Sequence, residues 1–274
     1  MPSASRQWTA ALLAVLLPLG AARADPGDDL LLFPEYRLEY EPSDGVFTRT
    51  WRRSANESLS LLNETVSDIW NITRSPLDWR WREWLTVAGV AGTATALIYL
   101  GDEDIRQHAI DSSNFHKFGN KVDFLSDGTA FVALTGGFLL SGALLRDKEI
   151  ETAKLLIESA SIGYLYTAGL KHLVGRRRPG PSGARDFDPF SGQLSMPSGE
   201  ATHAFAMASV IAEQYPNWPV RIASYGLAAS VAAARIARDA HWTSDVFVAA
   251  AIGTFVGRSG AWLHRERNRR AVEG

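Results

Sequence analysis

A few ionisable side chains stand at spacings that can gather them around one phosphate. Lys171 is followed seven residues later by Arg178 and then by Pro179. Seven residues make close to two helical turns, so both cations are expected on one helix face, with Pro179 ending or redirecting that helix. Two fixed positive charges aimed at one point suit a phosphate, and the planar fork of Arg178 can hold two oxygens at once. A second pattern runs Ser195-Met196-Pro197-Ser198-Gly199-Glu200-Ala201-Thr202-His203-Ala204-Phe205. Pro197, Ser198 and Gly199 ahead of an alanine-rich run mark a loop entering a helix, where free N–H groups and the positive end of the dipole favour an anion. Ser198 suits the helix cap, and its hydroxyl can also donate to a phosphate oxygen.

The third pattern is Arg235, His241 and Asp245. His241 and Asp245 are four apart, so a helix beginning by His241 lets the carboxylate accept from the imidazole Nδ1–H. That contact sets the tautomer, leaves Nε2 as a directed nucleophile and stabilises the positive charge that develops on the ring. Taken singly, each pattern has a plain structural reading: a capped helix without ligand, a solvated basic face, a structural His–Asp pair. Five such charges on apolar helices need partners, however, and one bound phosphate supplies them together.

In this order, Lys171, Arg178-Pro179, Pro197-Ser198-Gly199, Arg235 and His241 with Asp245 resemble the signature of the type 2 phosphatidate phosphatase and vanadium haloperoxidase superfamily. The resemblance runs from Lys171 to Asp245, and the helical layout from Trp84 to Trp262 is compatible with it. It implies that Lys171, Arg178 and Arg235 bind phosphate oxygens, aided by Ser198 and the backbone of Gly199. It implies a phosphohistidine at His241, oriented by Asp245 and hydrolysed by water, with no metal, because three cations already stabilise the transferring group.

Two positions depart from that pattern. Ala234 stands where the family usually has serine. Glu200 stands where it usually has a histidine that protonates the leaving oxygen. Burial or a neighbouring carboxylate fits a glutamate for that role by raising its pKa, whereas three nearby cations lower it. His203, about one turn further along the same helix, is the other donor, and packing is its plain reading. The activity implied is that of a metal-independent acid phosphatase acting on a phosphorylated small molecule or a lipid phosphate. Glu200 motivates an alternative, a phosphate- or phospholipid-binding protein without turnover. A vanadate-dependent haloperoxidase is a third reading, disfavoured because the chain lacks the extra helical domain of that branch; otherwise vanadate is an inhibitor.

These residues must be positioned by helices. Apolar helical segments fall near 84–100, 129–145, 152–172, 199–214, 220–238 and 244–264, with polar turns such as Leu125-Ser126-Asp127-Gly128 between them and no alternating strand pattern. The expected fold is all-α, a bundle of about six helices. Residues 1–24 carry Arg6, an apolar run from Trp8 to Leu19 and the small-residue site Ala22-Arg23-Ala24, the three parts of a signal peptide. Residues 25–80 read as a polar appendage with one amphipathic helix through Leu59, Leu62, Val66, Ile69 and Trp70. Residues 81–265 form the helical phosphatase domain and 266–274 a basic tail.

The 274 residues contain no cysteine, which excludes thiolate nucleophiles, disulfides and cysteine-bound metals. A formal charge of −2, from 28 basic and 30 acidic side chains, gives no global field for nucleic acid. Locally, Arg176, Arg177, Arg178 and Arg185 are crowded, and Asp102-Glu103-Asp104 is acidic. The expected location is outside the cytoplasm, in the periplasm or cell envelope. The mean hydropathy of −0.08 and the charges within the segments favour a soluble or peripheral domain over a membrane core. Trp79, Trp81 and Trp84 fit an interfacial belt, a wall of a lipid groove or core packing.

Overall fold

The computed structural model describes residues 46–126, 128–144 and 147–273; of these, the side chains of 46–55 and 57 are not described. The signal peptide expected at 1–24 and the appendage up to residue 45 lie outside the described residues. The rest divides into two compact units between Asp78 and Trp79. The first consists of α1 (Val46–Arg74) and a 3-10 turn, Ser75–Asp78. α1 is longer than the expected amphipathic stretch, and of its apolar stripe Leu62 is exposed while Leu59, Val66, Ile69 and Trp70 are half-buried.

The second unit is all-α. Its helices are α2 (Trp81–Ala96), α3 (Asp102–Asp111), α4 (Ser113–Val122), α5 (Gly128–Leu144), α6 (Asp147–Val174), α7 (Gly199–Gln214), α8 (Trp218–Ala237) and α9 (Thr243–Glu273). A π turn, Leu97–Gly101, joins α2 to α3. α3 and α4 were not among the six expected helices, because 102–122 is polar and lacks a long apolar run. The residues expected as a basic tail continue α9 to Glu273, where Arg269 and Arg270 pair with Glu266 along the helix.

α7 is the centre of the unit and packs on α6, α8 and α9. Its buried face is built from Ala201, Ala206, Ala208 and Ala212. α9 meets it with glycines: a Cβ at Gly253 would lie 2.3 Å from the Thr202 carbonyl oxygen, and one at Gly257 2.3 Å from that of Ala206. The two backbones therefore touch directly, which brings the start of α9 beside the start of α7. Leu155, Leu156 and Val210 close the α6–α7 side of the core.

Between α6 and α7 the chain makes a long loop. α6 stops at Val174 because Gly175 turns left-handed, at φ +57°, where its N–H donates to the Lys171 carbonyl at 2.9 Å. Only glycine fits there, since a Cβ would sit 1.8 Å from the Asp188 oxygen. Arg176 then bridges antiparallel to Phe187, and the Ser195 N–H donates to the Arg176 carbonyl at 2.9 Å, so the loop is pinned on itself before it enters α7.

Among the described residues, two helices are long and apolar enough to cross a bilayer: Trp81–Asp111, which is α2 to α3, and Thr243–Glu273, which is α9. In the first, only 6% of the most apolar window is buried, and Trp81, Leu85, Tyr99 and Leu100 are exposed along it. Such a surface fits membrane association, which the mean hydropathy by itself does not reveal. The whole-chain average mixes these helices with the polar stretches at 25–78, 102–125 and 175–198.

Candidate active site

The start of α7 and the loop before α9 converge on one small region. Ser198 caps α7, its hydroxyl accepting from the Ala201 N–H at 3.4 Å, and its own N–H donates to the Asp245 carbonyl at 3.2 Å. α8 ends at Ala237, and the chain turns through Asp239, whose φ of +54° is uncommon for a side chain with a Cβ. Arg106 grips the Asp239 carboxylate with two bonds, at 2.6 and 2.7 Å, and so fixes the turn that presents His241. Arg235, in the last turn of α8, donates to Asp123 at 3.1 Å, which leaves its other terminal nitrogen for the site.

Glu200, Arg235 and His241 meet there. One oxygen of Glu200 lies 3.6 Å from Arg235 Nη2, and the other lies 3.6 Å from His241 Nε2. The Ser198 hydroxyl donates to that second oxygen at 3.5 Å. On the far side of the ring, His241 Nδ1 is 3.5 Å from Asp245 Oδ2. Both ring nitrogens are buried, and neither makes a hydrogen bond at these separations. The imidazole thus lies between two carboxylates with Nε2 facing the Arg235 side.

Electrostatics set the protonation of Glu200, which lies outside both candidate spans. Burial acts to raise its carboxyl pKa, but the adjacent His241 ring, the backbone amide at its own position and Arg235 outweigh burial and hold it well below the usual carboxylate range. Lys171 belongs to the same field: burial lowers its ammonium pKa, Glu200 opposes that, and Arg178 adds to it. The Lys171 ammonium donates to the Leu194 carbonyl of the loop. Burial pushes the His203 ring pKa down, Glu200 opposes that, and the His203 Nε2 has no hydrogen-bond partner.

Of the residues singled out in the sequence, Ser198, Glu200, Arg235, His241 and Asp245 are in mutual contact, and Lys171 is within their electrostatic reach. Arg178 is exposed beyond the end of α6. Two expectations about how these residues are held need correction. Lys171 and Arg178 do not share a helix face, because Gly175 ends α6 before Arg178 is reached. His241 is not in a helix: α9 begins at Thr243, and Asp245 instead accepts from the Trp242 backbone N–H at 3.0 Å in the manner of a capping box. A Cβ at Gly199 would meet only ordinary contact, with the Thr167 side chain at 3.8 Å. His203 lines an apolar cavity of about 370 Å³ with Phe131, Ile157, Ala160, Ser161 and Tyr164.

Sequence reasoning missed the buried residues behind the site, Asp102, Arg176, Ser195 and Ser244. The available signal was an acidic triplet, Asp102-Glu103-Asp104, closing an apolar segment, because charge at such a place is costly and needs a partner.

The family model described as PAP2 superfamily matches residues 152–269, which include Lys171, the α7 cap, Arg235, His241 and Asp245. The lipid A 1-phosphatase of Porphyromonas gingivalis is 28% identical over 177 residues, covering 62% of this chain and 36% of that protein, so the chain spans about a third of that relative's length. The crystal structure of a transmembrane PAP2-type phosphatidylglycerolphosphate phosphatase from Bacillus subtilis superposes with a TM-score of 0.52 at 18% identity, over 66% of this chain and 94% of that one. The crystal structure of LpxE from Aquifex aeolicus superposes with a TM-score of 0.48 at 21% identity, over 58% and 93%. Over residues 152–269, less than half of its length, the chain is similar to the PAP2 superfamily.

Proposed function

We propose that the chain is a phosphatase that removes phosphate from a lipid phosphate through a covalent intermediate on His241. The observation that carries this reading is the anion position between Arg235 and His241 Nε2, filled here by the Glu200 carboxylate at 3.6 Å from each. A phosphoryl group placed there meets Arg235, the Ser198 hydroxyl and the free N–H groups of the first turn of α7, with Lys171 and Arg178 nearby. Nε2 attacks phosphorus, the P–O bond to the leaving group breaks, and a proton that Glu200 or His203 has taken up from water once the phosphate is bound goes to that oxygen. Water then attacks the phosphohistidine, releasing inorganic phosphate and restoring the ring. The cations carry the charge of the transferring group, so no metal is needed.

A lipid substrate is supported by three features. The curated relative is a lipid A 1-phosphatase. An apolar cavity opens beside His203, one turn from Glu200 along α7. Two helices are fit to cross a membrane, and one of them is barely covered by protein. The site faces the outside of the cytoplasmic membrane in this reading, in keeping with the signal-like first 24 residues.

The test is phosphate release from phosphatidic acid in detergent micelles with EDTA present, wild type beside His241→Ala. Wild type is expected to turn over, and the variant to lose about 10³-fold or more. Equal turnover in both would put the chemistry at another site. Phosphate binding without turnover in wild type would favour a binding protein, the reading that an ionised Glu200 at this position motivates. Halide oxidation only with added vanadate would favour a haloperoxidase.

A further inference from the structure

Behind His241 lies a charge cluster that the phosphate chemistry does not touch. Arg176 is fully buried, and all its donors are used. Nη1 donates to Asp245 Oδ1 and to the Ser244 hydroxyl, both at 2.6 Å. Nη2 donates to Asp102 Oδ2 at 2.7 Å and to the Ala184 carbonyl at 2.6 Å, and Nε donates to that same carbonyl at 3.1 Å. Phe187 and Trp242 lie over the guanidinium at 5.1 and 5.3 Å. Asp102 in turn accepts from the Ser244 N–H at 2.9 Å and from its hydroxyl. Glu103 accepts from the Ala184 N–H at 2.6 Å, which holds the carbonyl that Arg176 uses.

The second oxygen of Asp245 is equally constrained. It accepts from the Ser195 hydroxyl at 2.6 Å and the Trp242 N–H at 3.0 Å, and it is the oxygen that faces His241 Nδ1 at 3.5 Å. With both oxygens held, the carboxylate cannot rotate, so its aim at the ring is set from behind. One guanidinium stands against two carboxylates, which leaves one negative charge in excess inside the protein. Such an excess is costly unless a cation comes beside it. When Nε2 bonds to phosphorus and Nδ1 keeps its proton, the ring becomes that cation.

The geometry points to Arg176, gripped by Asp102, as the positioning residue of this site: it fixes Asp245 and, through it, both the aim and the charge of His241. Asp102 closes an apolar helix with no other visible tie to the chemistry, and this role explains its burial there. Asp102 and Glu103 of the acidic triplet and the first arginine of the basic cluster are thus one device, joining the α2–α3 helix to the nucleophile. The inference rests on His241 being the nucleophile of a phosphatase.

The experiment uses the full chain and compares wild type, Asp102→Asn, Arg176→Lys, Asp245→Asn and the Asp102→Asn/Asp245→Asn double variant on the same lipid phosphate. Asp102→Asn and Arg176→Lys are expected to lower kcat by about 10- to 100-fold with KM within about twofold. In Asp102→Asn the acid limb of kcat/KM is expected to move to lower pH by about one unit, because one fewer buried negative charge favours the protonated ring less. Added to Asp245→Asn, the Asp102 change is expected to cost little more, since its effect passes through Asp245. Variants that melt earlier but keep kcat and the acid limb would show a purely structural cluster and overturn the inference. A raised KM at unchanged kcat would make Arg176 a phosphate ligand and overturn it as well. If Arg176→Lys does not fold, the nearly isosteric Asp102→Asn decides alone. No turnover by wild type on any phosphate would instead sink the phosphatase reading beneath it.

Discussion

An ionised glutamate between a guanidinium and an imidazole is an anion already in place, and that decides how Glu200 behaves. Its folded pKa lies below the ordinary value of about 4.3, so the stabilisation it gains is complete above that pH and is lost only as the pH falls through the lower folded value. At neutral pH it meets an incoming phosphate as a like charge. Replacing Glu200 with glutamine is expected to tighten inhibition by inorganic phosphate by about tenfold at pH 7, read as Ki. The same variant separates the two proton donors. If the like charge of an entering phosphate dianion makes Glu200 take up a proton from water, Glu200→Gln loses about 100-fold in kcat on an alkyl phosphate and little on p-nitrophenyl phosphate, whose leaving group needs no proton. An unchanged alkyl phosphate rate would assign the proton to His203.

The elements that hold the site depend on close backbone approach. The α7–α9 contact at Gly253 and Gly257 brings Ser198 within hydrogen-bond reach of the Asp245 carbonyl. A methyl group at 257 needs space that the Ala206 carbonyl and the Ser209 side chain occupy, at 2.3 and 2.8 Å. Gly257→Ala is therefore expected to destabilise the fold by about 1–3 kcal/mol, seen as a lower melting temperature. It should also lower kcat more than it raises KM, because the two halves of the site are carried by these two helices. The apolar runs that became α5 to α9 were legible in the sequence from their helical spacing. α3 and α4 were not, because polar contacts tie them to the end of α8 and the turn after it, through Arg106 with Asp239, His116 with the Ala237 carbonyl and Asn120 with Arg238. Such partners lie more than a hundred residues away in sequence and leave no periodic trace.

At the scale of the whole molecule the question is what covers the apolar exterior. The Trp81–Asp111 helix shows Trp81, Leu85, Tyr99 and Leu100 outward, and α5 adds Val132, Leu140 and Leu144. Removing such surface from water is favourable at roughly 25 cal/mol per Å², so this exterior favours a lipid surrounding over water. After expression, the chain is expected to stay in the membrane pellet through alkaline carbonate washing and to need detergent for release. Release by carbonate alone would mean that a protein partner, not lipid, covers this surface.

By itself the sequence determined the all-α class, the likeness to the PAP2 superfamily and the residues that meet around Glu200, because helical periodicity and short motifs are local properties of the chain. Only the tertiary structure decided that Arg178 leaves the helix of Lys171, that Glu200 sits between Arg235 and His241, and that Arg176 and Asp102 stand behind Asp245. Those outcomes follow from contacts between segments far apart in the chain, where a left-handed glycine, two touching backbones and a buried charge count set geometry that no local spacing encodes.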